Sequence, residues 1–154
     1  MIDFTIETHI ERPADEVFAY VTDPALLATW QTNTVSAVQE GDGPLAPGSR
    51  IREVHRAPGG RHLESLVEVS ELEPGRTFAL HVVEGTPIDL RMTFEPDGDG
   101  DGGGTRMALR PHGSLPGLLR VAQPVLQVVL KRQFARQCAT LKQVLEAPQV
   151  AAPA

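Results

Sequence analysis

Two titratable residues on one short segment are the strongest candidates for chemistry in this sequence. Glu53 and His55 lie in segment 49–56, where the spacing predicts a β-strand. If Ile51 points into the core, both residues point the same way, because alternate side chains share one face of a strand. A carboxylate beside an imidazole in a cavity can act as a general base or a general acid. A register slip of one residue would turn both side chains to solvent instead.

The other chemically active residue types carry weaker signals. The histidines fall on five separate predicted strands without the paired spacing of a zinc site, so we expect no metal and no cofactor. The Asp-Gly run at 97–104 lacks the downstream glutamate of a calcium loop and predicts a mobile hairpin tip. Cys138 is the only cysteine and is interpreted as a small buried residue. The five histidines are His9, His55, His62, His81 and His112.

An antiparallel sheet is predicted to hold these residues in place. Alternating apolar and polar side chains predict a strand near the N-terminus, around Phe4–Ile10, and six more between Thr34 and His112, separated by glycine- and proline-rich turns. Two short helices are expected between the first two strands. Asp23 is the expected N-cap of the second helix, with Pro24 at its first position.

The C-terminal quarter predicts one long amphipathic helix over Leu119–Leu145, packed across the sheet, with a kink or a late start at Pro124. Gln133 and Gln137 lie on its apolar stripe, where a buried amide needs a partner, a water or a ligand. The stripe comprises Leu118 or Leu119, Ala122, Leu126, Val129, Leu130, Gln133, Phe134, Gln137, Cys138, Leu141 and Leu145.

Length and charge narrow the range of functions. The 154 residues predict one domain over 1–147, followed by a disordered tail at 148–154. The net charge of −6 argues against binding nucleic acid, and also against docking on anionic lipid through a basic patch. No signal peptide and no apolar run of about 20 residues is visible, so we expect no membrane span and a cytoplasmic protein. The oligomeric state is left open.

Several segments together resemble the START-like (SRPBCC) helix-grip superfamily, and within it the polyketide cyclase/dehydrase-like group. The first is 10–24, IERPADEVFAYVTDP, and Trp30 falls where that group places a tryptophan. Further likenesses are the turns Gly43-Pro44 and Pro47-Gly48, the hairpin Glu68-Val69 with 72–76, the strand entry Gly104-Thr105-Arg106, and the helix end 141–146. The resemblance covers about residues 3–146.

The resemblance implies an α+β helix-grip fold. It consists of a seven-stranded curved antiparallel sheet around the long C-terminal helix, with a cavity between sheet and helix and two short helices after the first strand. The expected partner is a small hydrophobic molecule that is lipid-, quinone- or polyketide-like. The candidate ligand-binding residues are Trp30, Ser65, Val67, Phe78, Leu80, Leu90, Met92, Phe94, Met107, Leu126, Leu130, Gln133 and Gln137.

Three functions remain open from the sequence. The first is a binding module for such a molecule. The second is a polyketide cyclase or dehydratase that uses Glu53 and His55 as its acid–base pair, so whether the protein is an enzyme is undecided. The third is a protein-interaction role, which would require an exposed apolar patch outside the cavity. No sign of such a patch is visible in the sequence.

Overall fold

A computed structural model describes residues 1–57, 59–98 and 103–147 of the chain. The expected tail at 148–154 and the centre of the Asp-Gly run lie outside the described residues. The strands are β1 (Ile2–Asp3), β2 (Ile6–Ile10), β3 (Thr34–Glu40), β4 (Arg50–Arg56), β5 (His62–Glu73), β6 (Thr77–Glu84), β7 (Ile88–Asp97) and β8 (Gly104–Gly113). The helices are α1 (Ala14–Val21), α2 (Leu27–Trp30) and α3 (Gln123–Glu146), with 3-10 turns at Pro24–Leu26 and Gly117–Ala122.

All strands belong to one antiparallel sheet in the order β1-β8-β7-β6-β5-β4-β3, and β2 also pairs with β8. The two pieces β1 and β2 are separated only by Phe4 and Thr5 and run along the same neighbour. They therefore act as one interrupted edge strand, and the sheet has seven strand positions. The predicted α+β helix-grip architecture is confirmed.

The two short helices form where the sequence places them. Asp23 Oδ1 accepts a hydrogen bond from the Ala25 backbone N–H at 3.0 Å, and Pro24 opens the 3-10 turn that leads into α2. This confirms the predicted N-cap. Both helices bury their apolar residues against the sheet, and the Phe18 ring of α1 meets the Phe94 ring edge-on at 5.4 Å between centroids.

One face of the sheet carries the core. Met92 of β7 pairs with Phe78 on one side and with Leu109 on the other, and residues directly opposite one another share a face. These side chains are buried together with α1, α2, Cys138 and Leu141. We call this side the helix face of the sheet and the opposite side its outer face.

Helix α3 differs from the prediction in how much of its apolar stripe is buried. It starts late, with Pro124 in its first turn, as expected, but Leu119 and Val129 are more than half exposed. Leu126 is only half-buried. The reason lies in the path of the helix along the sheet edge. Gln127 Oε1 accepts from the Asp3 N–H of β1, and the Phe134 ring lies 6.2 Å from that of Phe4.

Periodicity identifies the apolar face of a helix but does not say what lies opposite each turn. Within the described part of the chain, no helix combines the length and hydropathy that crossing a membrane requires.

Candidate functional site

Strand β4 turns Glu53 toward the helix face. Ile51 pairs with Val67, and Glu53 pairs with Ser65 two positions along, so all four side chains lie on the side that packs on the helices. Glu53 is buried, with 7% of its surface exposed, and His55 is half-buried. The strand thus has the register in which the two titratable residues lie inside.

A row of hydrogen bonds links these two residues to the end of α2. His55 Nε2 lies 2.9 Å from Glu53 Oε2, and His55 Nδ1 lies 3.3 Å from the buried Thr34 hydroxyl. The Thr34 hydroxyl donates to Gln31 Oε1 at 3.0 Å, so its oxygen is free to accept from the imidazole N–H. The Glu53 carboxyl group and His55 Nε2 are thus within hydrogen-bond distance of each other, and a carboxyl–imidazole pair has the chemistry of a general acid or a general base.

Glu53 also borders a small cavity on the helix face. Its volume is about 20 Å³, enough for one water molecule. Of the residues predicted to bind ligand, Phe78, Leu80 and Met92 line it together with Glu53. The remaining lining residues are not predicted as site residues from the sequence, and most of them come from α1, α2 and the turn between them. They are Val21, Thr22, Pro24, Leu27, Gln31 and Ile51.

The other predicted ligand-binding residues do not line this cavity. Trp30 has no exposed surface and packs in the core, where its indole N–H has no hydrogen-bond partner among the described residues. Gln137 Nε2 donates to Asn33 Oδ1 at 2.8 Å, whereas its buried Oε1 has no hydrogen-bond partner among the described residues. Val67, Phe94 and Met107 are buried, whereas Ser65, Leu90, Leu126, Leu130 and Gln133 are half-buried.

Part of the helix face is not covered by the helices. The register places Leu80 and Val82 of β6 and Ile88 and Leu90 of β7 on this face, yet all four are only half-buried. The first half of α3, up to Arg136, buries only Gln123. An apolar surface therefore begins at the small cavity, at Leu80, and continues toward solvent.

A larger groove of about 450 Å³ lies on the outer face. Its lining includes the charged residues Asp3, Glu71, Asp89, Arg91 and Arg110, and Leu80 and Leu90 also border it. Its charges pair with one another: Arg110 binds Asp3 at 2.8 Å, and Arg91 binds Glu71. The hydrogen bonds from Arg110 hold the pKa of Asp3 below its usual value. Sequence reasoning missed this groove because its ion pairs join different strands. Its paired charges, and its position on the face of the sheet opposite to Glu53, make it the weaker candidate site.

The described residues contain no group of three or more His, Cys, Asp or Glu side chains able to hold a metal ion. Cys138 is buried, and burial raises the pKa of its thiol, although a hydrogen bond with Thr8 opposes the change. The cysteine is therefore held as a protonated thiol rather than as a nucleophile.

Comparisons with known proteins agree with this architecture. The model of a family described as "Polyketide cyclase / dehydrase and lipid transport" matches residues 1–146. No curated protein matches the chain by sequence.

Solved structures share the fold at low sequence identity. TTHA0849 from Thermus thermophilus has a TM-score of 0.77 at 19% identity, over 94% of this chain and 97% of that one. A START superfamily protein from Mycobacterium smegmatis has a TM-score of 0.73 at 13% identity, over 94% and 97%. The di-domain ARO/CYC StfQ from the steffimycin biosynthetic pathway has a TM-score of 0.73 at 16% identity, over 94% of this chain and 50% of that one.

Proposed function

This chain belongs to the polyketide cyclase/dehydrase and lipid transport family, and we propose that it binds a small, largely hydrophobic molecule on the helix face of its sheet. The ligand carries a hydroxyl or enol group that donates a hydrogen bond to Glu53. Its apolar part lies along Leu80 and Leu90 toward the first half of α3.

The observation that carries this proposal is the continuity between Glu53 and the unsealed apolar surface. Leu80 borders the small cavity beside Glu53 and is also half-buried at the edge of the open surface. A volume of about 20 Å³ holds only the polar end of a ligand, so the rest must extend outward over apolar side chains. His55 is the one side-chain hydrogen-bond partner of Glu53 among the described residues, and a buried carboxyl group with one partner gains from a further hydrogen-bond donor.

Binding can be tested with a matched pair of probes. We expect 2-naphthol to bind with an affinity on the order of micromolar and 2-methoxynaphthalene, which has no donor, about tenfold more weakly. Glu53→Gln should remove this preference, whereas Glu64→Gln, an exposed glutamate on β5, should retain it. Leu90→Trp should block both probes, and Val38→Trp on the outer face should block neither. Equal binding of both probes to the wild type would contradict the anchoring role of Glu53.

A second candidate function is dehydration of a β-hydroxy carbonyl compound, favoured by the 2.9 Å contact between His55 and Glu53. One member of the pair would remove the proton next to the carbonyl, and the protonated member would donate to the departing hydroxyl, which leaves as water. The substrate class would be polyketide-like, because such chains carry alternating oxygens on a hydrophobic skeleton.

The enzymatic alternative can be separated from simple binding with 4-hydroxy-4-phenylbutan-2-one, whose dehydration produces an enone with strong ultraviolet absorbance. Catalysis predicts faster enone formation with the wild type than with Glu53→Gln or His55→Ala, while 2-naphthol still binds His55→Ala. A binding protein would show no acceleration and would lose only affinity on Glu53→Gln.

A further inference from the structure

An apolar surface lies exposed where the chain enters α3, outside the candidate site. Leu118 is 91% exposed, Val121 84% and Val125 68%. Three further aliphatic side chains next to them are more than half exposed. No sign of such a patch is visible in the sequence, but the structure shows one. We call this surface the aliphatic tip; it consists of Leu118, Leu119, Val121, Val125, Val128 and Val129.

The charge around the aliphatic tip is opposite to that of the whole chain. Segment 113–145 contains five basic residues and no acidic residue, whereas the chain has a net charge of −6. All 20 acidic residues lie outside this segment. The expectation that the protein would not dock on anionic lipid came from the net charge of the whole chain. That value does not show that the basic residues of segment 113–145 are separated along the chain from all the acidic residues.

Several of these basic residues are available to an external partner. Arg120, Lys131, Arg132 and Arg136 are exposed. None of the ion pairs formed among the described residues includes any of the four. Their charges are therefore not neutralised by carboxylates in the described part of the protein.

Helical geometry puts most of the exposed apolar and basic groups of α3 on one face, with Lys131 to one side of it at about the same height as Arg132. Val125, Val128 and Val129 are followed by Arg132 and Arg136 at seven- and eleven-residue spacing from Val125, which repeats the same side of an α-helix. The buried residues Gln137 and Leu141 lie on the opposite side. Along the exposed side of α3, the aliphatic side chains lie nearest the N-terminus and the guanidinium groups follow them.

We propose that this protein docks on an anionic lipid membrane through the aliphatic tip, with Arg120, Lys131 and Arg132 bound to phosphate headgroups. Leucine and valine side chains at the end of a helix enter the boundary between headgroups and acyl chains, while neighbouring basic residues remain at the level of the phosphates. The docking does not depend on the ligand proposed above.

The composition of the tip favours lipid over another protein. It contains no aromatic residue, and leucine and valine are under-represented among the side chains that dominate protein–protein binding energy. A second copy placed symmetrically on the same tip would bring Lys131 and Arg132 close to their own equivalents, with like charges opposed.

Co-sedimentation with vesicles tests the proposal. The full-length protein should sediment with vesicles of equal parts phosphatidylcholine and phosphatidylglycerol, bind pure phosphatidylcholine much more weakly, and dissociate in high salt. Val121→Ser and Val125→Ser should each weaken binding about tenfold, because each removes the burial of one apolar side chain. Lys131→Gln and Arg132→Gln should each weaken it about fivefold.

Matched controls lie on other surfaces. Val38→Ser and Arg76→Gln replace an exposed valine and an exposed arginine away from α3, and both should bind vesicles like the wild type. All the substituted positions are exposed, so thermal melting of each variant should follow that of the wild type.

Three results would overturn the proposal. One is the absence of sedimentation with either vesicle type. Another is equal binding to neutral and anionic vesicles, which would leave the basic residues without a role. The third is a dimer in sedimentation velocity that Val125→Ser dissociates, which would assign the tip to a second copy of the chain.

Discussion

The two halves of α3 share one apolar sequence pattern but face different surroundings. In the second half, Gln137, Cys138 and Leu141 are buried, and Lys142 donates to the His9 carbonyl of β2. In the first half only Gln123 is buried, and the aliphatic tip is exposed. The second half therefore holds the fold together, while the first half is available for contacts with a ligand or a membrane.

The largest expected difference between the halves is in stability. Leu141→Ala removes a side chain with no exposed surface and should lower the free energy of unfolding by about 3 kcal/mol. Leu126→Ala removes a half-buried side chain of the same size and should cost about 1 kcal/mol. Urea denaturation of both variants measures the difference. Equal losses would mean that both halves support the core alike.

Thiol reactivity gives a second contrast between the halves. Burial raises the pKa of Cys138, so iodoacetamide should alkylate it in the native protein at least about 100-fold more slowly than an exposed thiol. Val125→Cys, made in a Cys138→Ala background, should react at the rate of a free thiol because position 125 is 68% exposed. Mass spectrometry follows both reactions, and denaturant should remove the difference. Rapid native alkylation of Cys138 would contradict the tight packing of the second half.

Features that depend on local chemistry could be predicted from the sequence, whereas features that depend on contacts between distant segments could not. Strand alternation predicted that Glu53 and His55 share the face of Ile51, but it left open whether that face is the helix face, since a slip of one residue reverses the two sides of a strand. The pairing of β4 with β5 in the structure decides this, with Ile51 and Glu53 on the helix face. The Asp23 cap was also readable, since capping needs only local chemistry. The exposure of Leu119 and Val129 could not be predicted, because it depends on the path of α3 along the edge of the sheet. The hydrogen bond between Gln137 and Asn33 could not be predicted either, because the two residues are far apart in the sequence.

The cavity was the hardest feature to predict. Its lining from Val21, Leu27 and Gln31 depends on how two short helices rest on β4 and β6. The resemblance implied a ligand cavity between sheet and helix but could not supply its dimensions, since the closeness of packing decides the volume. Whether Glu53 and His55 act on a ligand stays a prediction for the experiments above.

The smallest expected effect concerns the polar contacts that anchor the end of α3. His9 on β2 lies 2.6 Å from Glu11 and 2.8 Å from Asp97, and these hydrogen bonds raise the pKa of His9 above 6.5, its ordinary value. Next to it, the Glu11 N–H donates to Glu146, which also binds Lys142. The charge on His9 therefore affects the strand that holds the second half of the helix.

The sign of the pH dependence follows from the raised pKa. The protonated imidazole is favoured in the folded state, so its stabilising contribution is fully present below pH 6.5 and is lost as the pH rises through the higher folded-state pKa. His9→Gln should flatten the decline of unfolding free energy above pH 6.5, measured by urea denaturation across a pH series. His62→Gln, at an exposed position on β5, should leave the decline unchanged. Because His9 and both partners are largely exposed, solvent screening keeps the effect below those of the substitutions in α3. A decline that persists in His9→Gln would show that the charge on His9 does not stabilise this region, whose hydrogen bond to the backbone of β2 would then hold α3 independently of pH.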